Sequence, residues 1–347
     1  MQMYSTVASR NLIFAEETML KHATSVQVTT KHGVMKEHPK RKTDTVVWRR
    51  VVPYGASQAA NPATGGSNVP VINPNAFIFP EGSVPTPNTI SYQDVSCTLQ
   101  KYSVLFKFTD KAEDMYEDDI PGDMAEQTGE VLGEILERVL NGVIKGGISV
   151  IYANGTTRAG INTPISLPKL QQAERALASN RGKVVRKMVG PGPDFGTKFV
   201  EPSYLVFCHT NCVSDVRALP GFIRKEAYGS YDAVDDAEVG NVEGFRFLAT
   251  PLFDPFLAAG DTYAGSGMVS AGASAIDVYP YIIMAADAWG QVKLAGGSMK
   301  ATIISSKTIS HANPSGSYGY VGGSVWDAAV RLNDNWFIRL EAAVTEL

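Results

Sequence analysis

Apolar and polar residues alternate with the period of a β-strand in two stretches of the first third of the chain. In the stretch from 43 to 52, one face takes Val46, Trp48, Arg50 and Val52 and the other takes Val47, Arg49 and Val51. The second stretch runs from Leu99 to Phe108. The residues between them, 53–91, are rich in proline and poor in helix formers. This pattern predicts two strands joined by a long protruding loop, which we expect to lie against a neighbouring copy of the chain.

A helical pattern follows from Met124 to Gly147. Asp118 or Asp119 is placed to cap its start, and glycines 146 and 147 end it. Two adjacent apolar rows run along one side of this helix and charged residues run along the other. The rows are Val131, Ile135, Val139 and Val143, and Leu132, Leu136, Leu140 and Ile144; the charged side has Glu126, Glu130, Glu134, Glu137 and Arg138. About 24 residues at 1.5 Å each make a helix of about 36 Å, so we expect it to be the spine of a domain.

The remainder of the chain mixes short helices and short strands, which predicts an α+β domain. Predicted helices cover 166–180 and 211–219, predicted strands cover 204–210, 245–250 and 279–286, and the Gly- and Ser-rich residues 265–275 are predicted as a loop. Near the C-terminus, apolar positions alternate on both sides of Asn333, Asp334 and Asn335. This arrangement predicts a closing β-hairpin.

Charge changes this picture in one place. The chain has 31 basic and 35 acidic residues and a net charge of −4, whereas a protein dedicated to gripping phosphate is usually basic overall. Cations nevertheless concentrate in one segment of the sequence. They are Lys31, Lys36, Lys40, Arg41, Lys42, Arg49 and Arg50. Any contact with nucleic acid is therefore expected to be local.

Cysteine content and hydropathy bear on the compartment. Three cysteines are too few for a disulfide framework. The first thirty residues lack the pattern of a signal peptide, and no window is long and apolar enough for a membrane span. These features predict a protein that is made inside a cell, keeps its thiols reduced and does not contact a membrane.

Three short motifs suggest chemistry, but each has a simpler explanation. CHTNC at 208–212 offers two thiols and an imidazole, but a structural zinc needs four ligands, and a cysteine at the end of an apolar strand favours core packing. The acidic run from Asp110 to Asp119 lacks the spacing of an EF-hand and favours the positive end of the helix that follows it. GPGPDFG at 190–196 lacks the Lys-Ser/Thr of a phosphate-binding loop. We therefore predict no metal, no cofactor and no catalytic residue.

Five segments in a fixed order carry a resemblance to a known family. They are DTVVWRRVVPYGAS at the entry to the loop, QKYSVLFKFTDKAEDMYEDD at its exit, GNVEGFRFLATP, VYPYIIMAADAWGQVKL and VWDAAVRLNDNWFIRLEAAV. In this order, on either side of the long helix, they resemble the major capsid proteins of tailed bacteriophages. That fold is shared with encapsulins and with the floor of herpesvirus capsids.

The resemblance implies an α+β fold in four parts. These are an N-terminal arm (1–43), an extended loop (44–108), a peripheral domain with the spine helix and closing strands (109–149 and 298–347) and an axial domain (150–297). It implies hexamers and pentamers that close into an icosahedral shell around double-stranded DNA, in a virion assembled in the cytoplasm of a bacterial host. Scaffolding, portal and cement proteins are the further partners it implies.

Two alternatives stay open from the sequence alone. One is an encapsulin-like compartment around a protein cargo, and the other is a nucleic-acid-binding protein that uses the basic segment 31–50. The candidate contact residues are Lys40, Arg41, Lys42, Arg49 and Arg50. In a shell they face either an acidic patch of a neighbouring subunit, such as Asp110–Asp119, or the packaged genome, and we favour the neighbour.

Overall fold

The computed structural model describes much of the chain as helices and strands. It describes residues 19, 23, 27–54, 72–78, 81–82, 87–115, 117, 119–186, 201–229, 233–263, 265–296, 299–309, 311 and 313–347. The strands are β1 (Val34–His38), β2 (Thr45–Val51), β3 (Tyr92–Thr98), β4 (Gln100–Thr109), β5 (Val150–Tyr152), β6 (Tyr204–His209), β7 (Ile223–Arg224), β8 (Glu238–Val242), β9 (Phe245–Thr250), β10 (Tyr279–Met284), β11 (Trp289–Leu294), β12 (Lys300–Ile304), β13 (Tyr318–Arg331) and β14 (Phe337–Ala342). The helices are α1 (Asp110–Met115), α2 (Ile120–Lys145), α3 (Leu167–Ser179) and α4 (Val213–Arg217), and Met19 and Ala23 are also helical.

The chain divides into two compact units. One comprises Met1–Val46, Cys97–Asn141 and Gly290–Ala329, and the other comprises Val47–Ser96, Gly142–Trp289 and Val330–Leu347. This grouping cuts across the four parts that the sequence suggested. The four-part division therefore stays a prediction.

The first unit is a five-stranded sheet with α2 on one face. The strands run in the order β1–β11–β13–β12, and β4 also pairs with β13. Val321 and Val325 of β13 pack with Leu132 and Leu136 of α2 in one buried cluster. Helix α2 begins at Ile120, four residues before the predicted Met124, and Asp119, one of the two predicted caps, accepts a hydrogen bond from the Gly122 amide at 3.3 Å. The predicted spine helix is thus confirmed.

Met19, Ala23 and the residues around 29 and 30 lie against α2 in the first unit. Met19 and Ala23 are buried, and a Cβ added at Gly129 or Gly133 would lie 2.4 Å or 2.7 Å from their respective backbone oxygens. Two glycines one turn apart therefore let this segment approach the helix backbone. Further along, the carboxylate of Glu137 accepts hydrogen bonds from the amides of residues 29 and 30, at 2.6 and 3.1 Å.

Glu137 corrects the sequence analysis, which placed it on the charged side of the helix. Its side chain is fully buried. The physical reason is that a carboxylate can be buried when it satisfies backbone amides that have no other partner. Glu137 therefore joins the N-terminal segment to α2 instead of facing water.

The second unit contains a seven-stranded sheet in the order β5–β14–β10–β6–β9–β8–β7. Strands β6 and β10 are its centre and are almost wholly buried, which explains their continuous apolar sequences. Helix α3 packs Leu170, Ala173 and Leu177 against the sheet. The predicted helix at 166–180 and the predicted strands at 204–210, 245–250 and 279–286 are confirmed.

Two predicted pairings are wrong. β13 and β14 do form on either side of a 3₁₀ turn at Asp334–Trp336, but they enter different sheets and make no hairpin. β14 has both edges occupied by β10 and β5, and β13 pairs with β4, β12 and β11. Likewise, the strand that returns beside β2 is β3 (Tyr92–Thr98), whereas most of the predicted return strand, residues 100–108, belongs to β4 in the five-stranded sheet.

Candidate inter-subunit surfaces

The extended loop rests on a two-stranded antiparallel ribbon of β2 and β3. The Val52 amide donates to the Ser91 carbonyl at 3.0 Å, and the Leu99 amide donates to the Asp44 carbonyl at 3.0 Å. Both bonds fit one register, in which Arg49 lies opposite Asp94 and Val51 lies opposite Tyr92. The ribbon is therefore regularly hydrogen-bonded at the base of the loop.

The two faces of the ribbon differ in exposure as the alternation predicts. Val46 and Val95 are buried on one face. On the other face Val47, Val51 and Tyr92 are 45%, 58% and 60% exposed. Because large apolar side chains gathered on one exposed face mark interaction sites, this face is a candidate contact surface.

The two ribbon arginines are already engaged within the chain. Arg49 makes a two-bond ion pair with Asp94, at 2.7 and 2.8 Å. The hydrogen bond to Asp94 raises the pKa of Arg49, and the same bond lowers the pKa of Asp94. Arg50 lies on the covered face, where its guanidinium donates to the Gln93 amide oxygen and burial lowers its pKa. Neither arginine is therefore a simple surface cation.

Beyond the ribbon, the described part of the loop adds apolar surface. The rings of Tyr54 and Phe77 pack edge to face with centroids 6.2 Å apart, and the Tyr54 hydroxyl donates to Asn88 at 2.7 Å. Ile78 and Ile90 are 71% and 66% exposed. Residues 55–71, 79–80 and 83–86, where most of the predicted loop lies, fall outside the described residues.

The cations at 40–42 occupy an exposed turn after β1, in the first unit. The Lys40 ammonium donates to the Gly296 carbonyl at 3.2 Å. Arg41 has a φ of 63°, in the left-handed region. Among the described residues, Arg41 and Lys42 have no hydrogen-bond or ion-pair partner. The five predicted contact residues thus divide between two places, with the turn in one unit and Arg49 and Arg50 in the other.

The acidic run is partly used within its own unit. Glu113 accepts a hydrogen bond from the Ser306 hydroxyl, and Asp114 pairs with Lys307 at 3.2 Å. Asp119 caps α2, as the prediction of a favourable helix start requires. Met115 at the end of α1 is 77% exposed, and Glu117 is also exposed. Asp118 lies outside the described residues.

The CHTNC motif belongs to the core of the second unit. Cys208 and Cys212 are fully buried, and the pKa of Cys208 is raised well above its usual value by a hydrogen bond with Cys212 and by burial. The His209 ring accepts a hydrogen bond from the Asn211 amide at 3.0 Å and packs against the Tyr279 ring, with centroids 5.5 Å apart and the ring planes at 55°. These contacts place both cysteine side chains in the apolar core of the unit. In the described ranges, no group of three or more His, Cys, Asp or Glu side chains is placed to hold a metal ion.

Two features escaped the sequence analysis. Asp327 on β13 is 1% exposed, and burial raises its pKa to about 6 against smaller opposing effects of the Lys293 ammonium and the Ala328 amide. The second feature is a lysine-bearing face of the five-stranded sheet. Only the pairing of β4, β12 and β13 brings its residues together, so no local sequence signal marks it.

The comparisons with known proteins agree on one architecture. The capsid of Ralstonia phage GP4 is similar over 92% of this chain and 92% of its own, with a TM-score of 0.61 and 11% identity. The cyanophage Pam1 capsid covers 90% and 91%, with a TM-score of 0.58 and 11% identity. The head structure of Helicobacter pylori bacteriophage KHP40 covers 89% and 87%, with a TM-score of 0.57 and 9% identity. A comparison with curated protein sequences found no match. At these identities the likeness establishes the fold.

A match to a protein-family model shows the family to which the chain belongs. The model described as phage capsid protein matches residues 92–301, which is more than half of the chain. The matched segment includes β4, α2 and most of the second sheet. No helix in the described part of the chain is both long and apolar enough to cross a membrane. By its sequence match and its fold, this chain belongs to the phage capsid protein family.

Proposed function

We propose that this major capsid protein assembles as hexamers and pentamers into an icosahedral shell around double-stranded DNA. Its role is structural and non-enzymatic. The observation that carries the proposal is the ribbon, whose exposed face gathers the apolar side chains of Val47, Val51 and Tyr92 around the Arg49–Asp94 ion pair. Such a face is costly in a monomer and useful in a lattice, where it is covered by a neighbour.

Assembly from such surfaces follows simple rules. Contacts between different patches of identical subunits generate rings when the rotation closes. Each copy takes part in several such contacts, so modest pairwise affinities add up to a stable shell. We infer that assembly takes place in the bacterial cytoplasm with scaffolding and portal proteins, and that cement proteins bind the finished shell.

The direct test is expression of the chain with the neighbouring phage genes, followed by light scattering and negative-stain images. We expect shells or capsomer-sized rings from the wild type. Val51→Lys with Tyr92→Lys places two charges on the exposed ribbon face and should leave soluble subunits. Val51→Ile with Tyr92→Phe preserves the apolar face and should assemble normally. A wild-type chain that stays monomeric with all partners present would refute the proposal.

The exposed turn at Lys40–Lys42 suits a polyanion. Its three consecutive cations are exposed, and an electrostatic contact of this kind requires no fixed geometry. The sequence alone favours a neighbouring subunit, but Arg41 and Lys42 have no partner among the described residues, and we therefore propose that the turn contacts the phosphates of the packaged genome without sequence preference. The rival contact is an acidic patch of a neighbouring subunit.

Removing the positive charge of the turn distinguishes a contact with the genome from a contact with a neighbouring subunit. Arg41→Gln with Lys42→Gln should assemble into normal shells whose DNA is released at lower salt or temperature, because two phosphate contacts are lost. Lys183→Gln with Arg186→Gln removes the same charge from other exposed positions and should leave DNA release unchanged. Failure of the Arg41/Lys42 variant to assemble would assign the turn to a neighbouring subunit.

A further inference from the structure

The five-stranded sheet has one covered face and one open face. On β13, Val321 and Val325 point to α2, and a Cβ at Gly323 would lie 2.9 Å from Leu132. Strand residues alternate between faces, so Tyr320, Gly322, Ser324 and Trp326 point away from the helix. The register then places the odd-numbered residues of β4 and the even-numbered residues of β12 on the same open face.

The open face combines basic and apolar side chains. Lys107 and Ile304 lie on either side of Tyr320, Lys300 lies beside Ser324, and Lys101 lies beside Trp326. Leu105 is 60% exposed and Ile304 is 42% exposed. None of the outward positions of β4, β12 and the paired part of β13 is acidic, in a chain with an excess of acidic residues. We call this surface the lysine face: Lys101, Leu105, Lys107, Lys300, Ile304 and Trp326.

One lysine of this face is held in position by aromatic rings, and the other two are available to bind a partner. The Lys107 ammonium lies 3.9 Å from the centre of the Tyr318 ring and 5.9 Å from that of Tyr320. Lys101 and Lys300 are exposed, and within the described parts of the chain they have no hydrogen-bond or ion-pair partner. A ligand that brings carboxylates and an apolar side chain would satisfy all of these groups.

We propose that the lysine face binds the acidic segment 110–117 of a second copy of this chain. The segment presents Asp114 and Glu117 beside Met115, whose 77% exposure gives it an apolar anchor for Leu105 and Ile304. Asp114 is paired with Lys307 in its own chain, but both side chains are more than half exposed, and such pairs contribute little. This inference rests on the proposed shell and names one of its contacts.

Apolar content favours a protein over DNA as the occupant. A duplex offers mainly phosphates to such a surface and would leave Leu105, Ile304 and Trp326 without apolar partners. The two complementary patches are different surfaces of the same unit, and a copy that uses its lysine face for one neighbour and its acidic segment for another makes a head-to-tail contact. It can therefore repeat around a ring of copies.

A charge exchange tests the pairing. Lys101→Glu with Lys300→Glu should reduce the yield of shells by about tenfold or more, because like charges then face each other across the interface. Asp114→Lys with Glu117→Lys should fail in the same way. Joining all four substitutions in one chain should restore assembly. Lys183→Glu with Arg186→Glu, at exposed positions of the other unit, is the matched control and should assemble normally.

Each outcome decides the matter once thermal unfolding shows that the variant subunits are folded. Normal shells from the Lys101/Lys300 variant would overturn the proposal, and so would normal shells that lose DNA, which would place the genome on this face. Loss of assembly without rescue by the four substitutions would also overturn it, because the face then has another partner. Wild-type shells in the same experiments would support the proposed function even if the variants refute this contact, so the two proposals can fail independently.

Discussion

At the scale of single residues, burial in this capsid protein does not follow the hydrophobic pattern everywhere. Trp326 is 36% exposed whereas its neighbour Asp327 is 1% exposed. No hydrogen bond of ordinary geometry reaches either carboxylate oxygen of Asp327 from the described residues. A buried carboxylate in this position is costly when ionised, since it has lost water and the weakly placed Ala328 amide compensates only in small part.

The pKa of Asp327 makes this cost depend on pH. Its folded pKa of about 6 lies above the ordinary 3.8, so the folded state binds the proton more tightly than the unfolded state. Stability therefore falls as pH rises from about 4 to about 6, by at most about 3 kcal/mol, and the loss persists above that window. We expect Asp327→Asn to raise the free energy of unfolding at pH 8 and to have little effect at pH 4, measured by urea unfolding of the subunit.

Asp94 provides the control with the opposite sign. Its pKa is lowered by Arg49, so its contribution is present above the ordinary pKa and is lost as pH falls through the lowered value. Asp94→Asn should therefore weaken the protein slightly at pH 8 and have less effect in acid. Equal effects of Asp327→Asn at pH 4 and pH 8 would show that ionisation of this carboxylate is not the cause.

At the scale of elements, α2 needs glycine only where another backbone touches it. A Cβ at position 133 would lie 2.7 Å from the Ala23 oxygen, whereas a Cβ at position 142 has nothing within 4 Å. Gly133→Ala should displace Ala23, because the new Cβ would meet the backbone of Ala23 and neither this backbone nor that of the helix can move easily. Gly142→Ala should stabilise the subunit by up to about 1 kcal/mol through helix propensity.

Limited proteolysis and thermal unfolding check this pair. Gly133→Ala should lower the melting temperature and speed cleavage within the N-terminal segment, although alanine is the better helix former. Gly142→Ala should raise the melting temperature and leave cleavage unchanged. Stabilisation by both substitutions would contradict the close packing of the N-terminal segment on α2.

These elements also show what sequence reasoning captures and what it misses. Strand β2 and helix α2 follow from the period of apolar residues, and strands β6 and β10 follow from short continuous apolar runs; both are local properties of the sequence. Strand partners do not, because a strand with period two fits any sheet that buries its apolar face. The prediction of a hairpin between β13 and β14 was wrong for this reason. Glu137 and the lysine face were missed because their partners lie far along the chain.

At the scale of the whole molecule, folding and assembly draw on different parts of the chain. The cores consist of residues from the two sheets and their helices, whereas the loop after β2 presents exposed residues such as Phe77, Ile78 and Ile90. Apolar surface that does not serve the fold is available for contact with other copies. Removing the loop should therefore cost assembly more than stability.

A chain in which Asn-Gly replaces residues 53–90 tests this separation. The Val52–Ser91 pairing leaves the ribbon ready to close through a two-residue turn, which Asn-Gly favours. We expect a soluble subunit with nearly unchanged thermal unfolding that forms few or no shells, measured by calorimetry and light scattering. Replacing only Asn88→Ala, which removes the Tyr54 hydrogen bond, is the milder control and should still assemble. Normal shells from the shortened chain would mean that the ribbon and the sheet faces, without the loop, supply the contacts between copies.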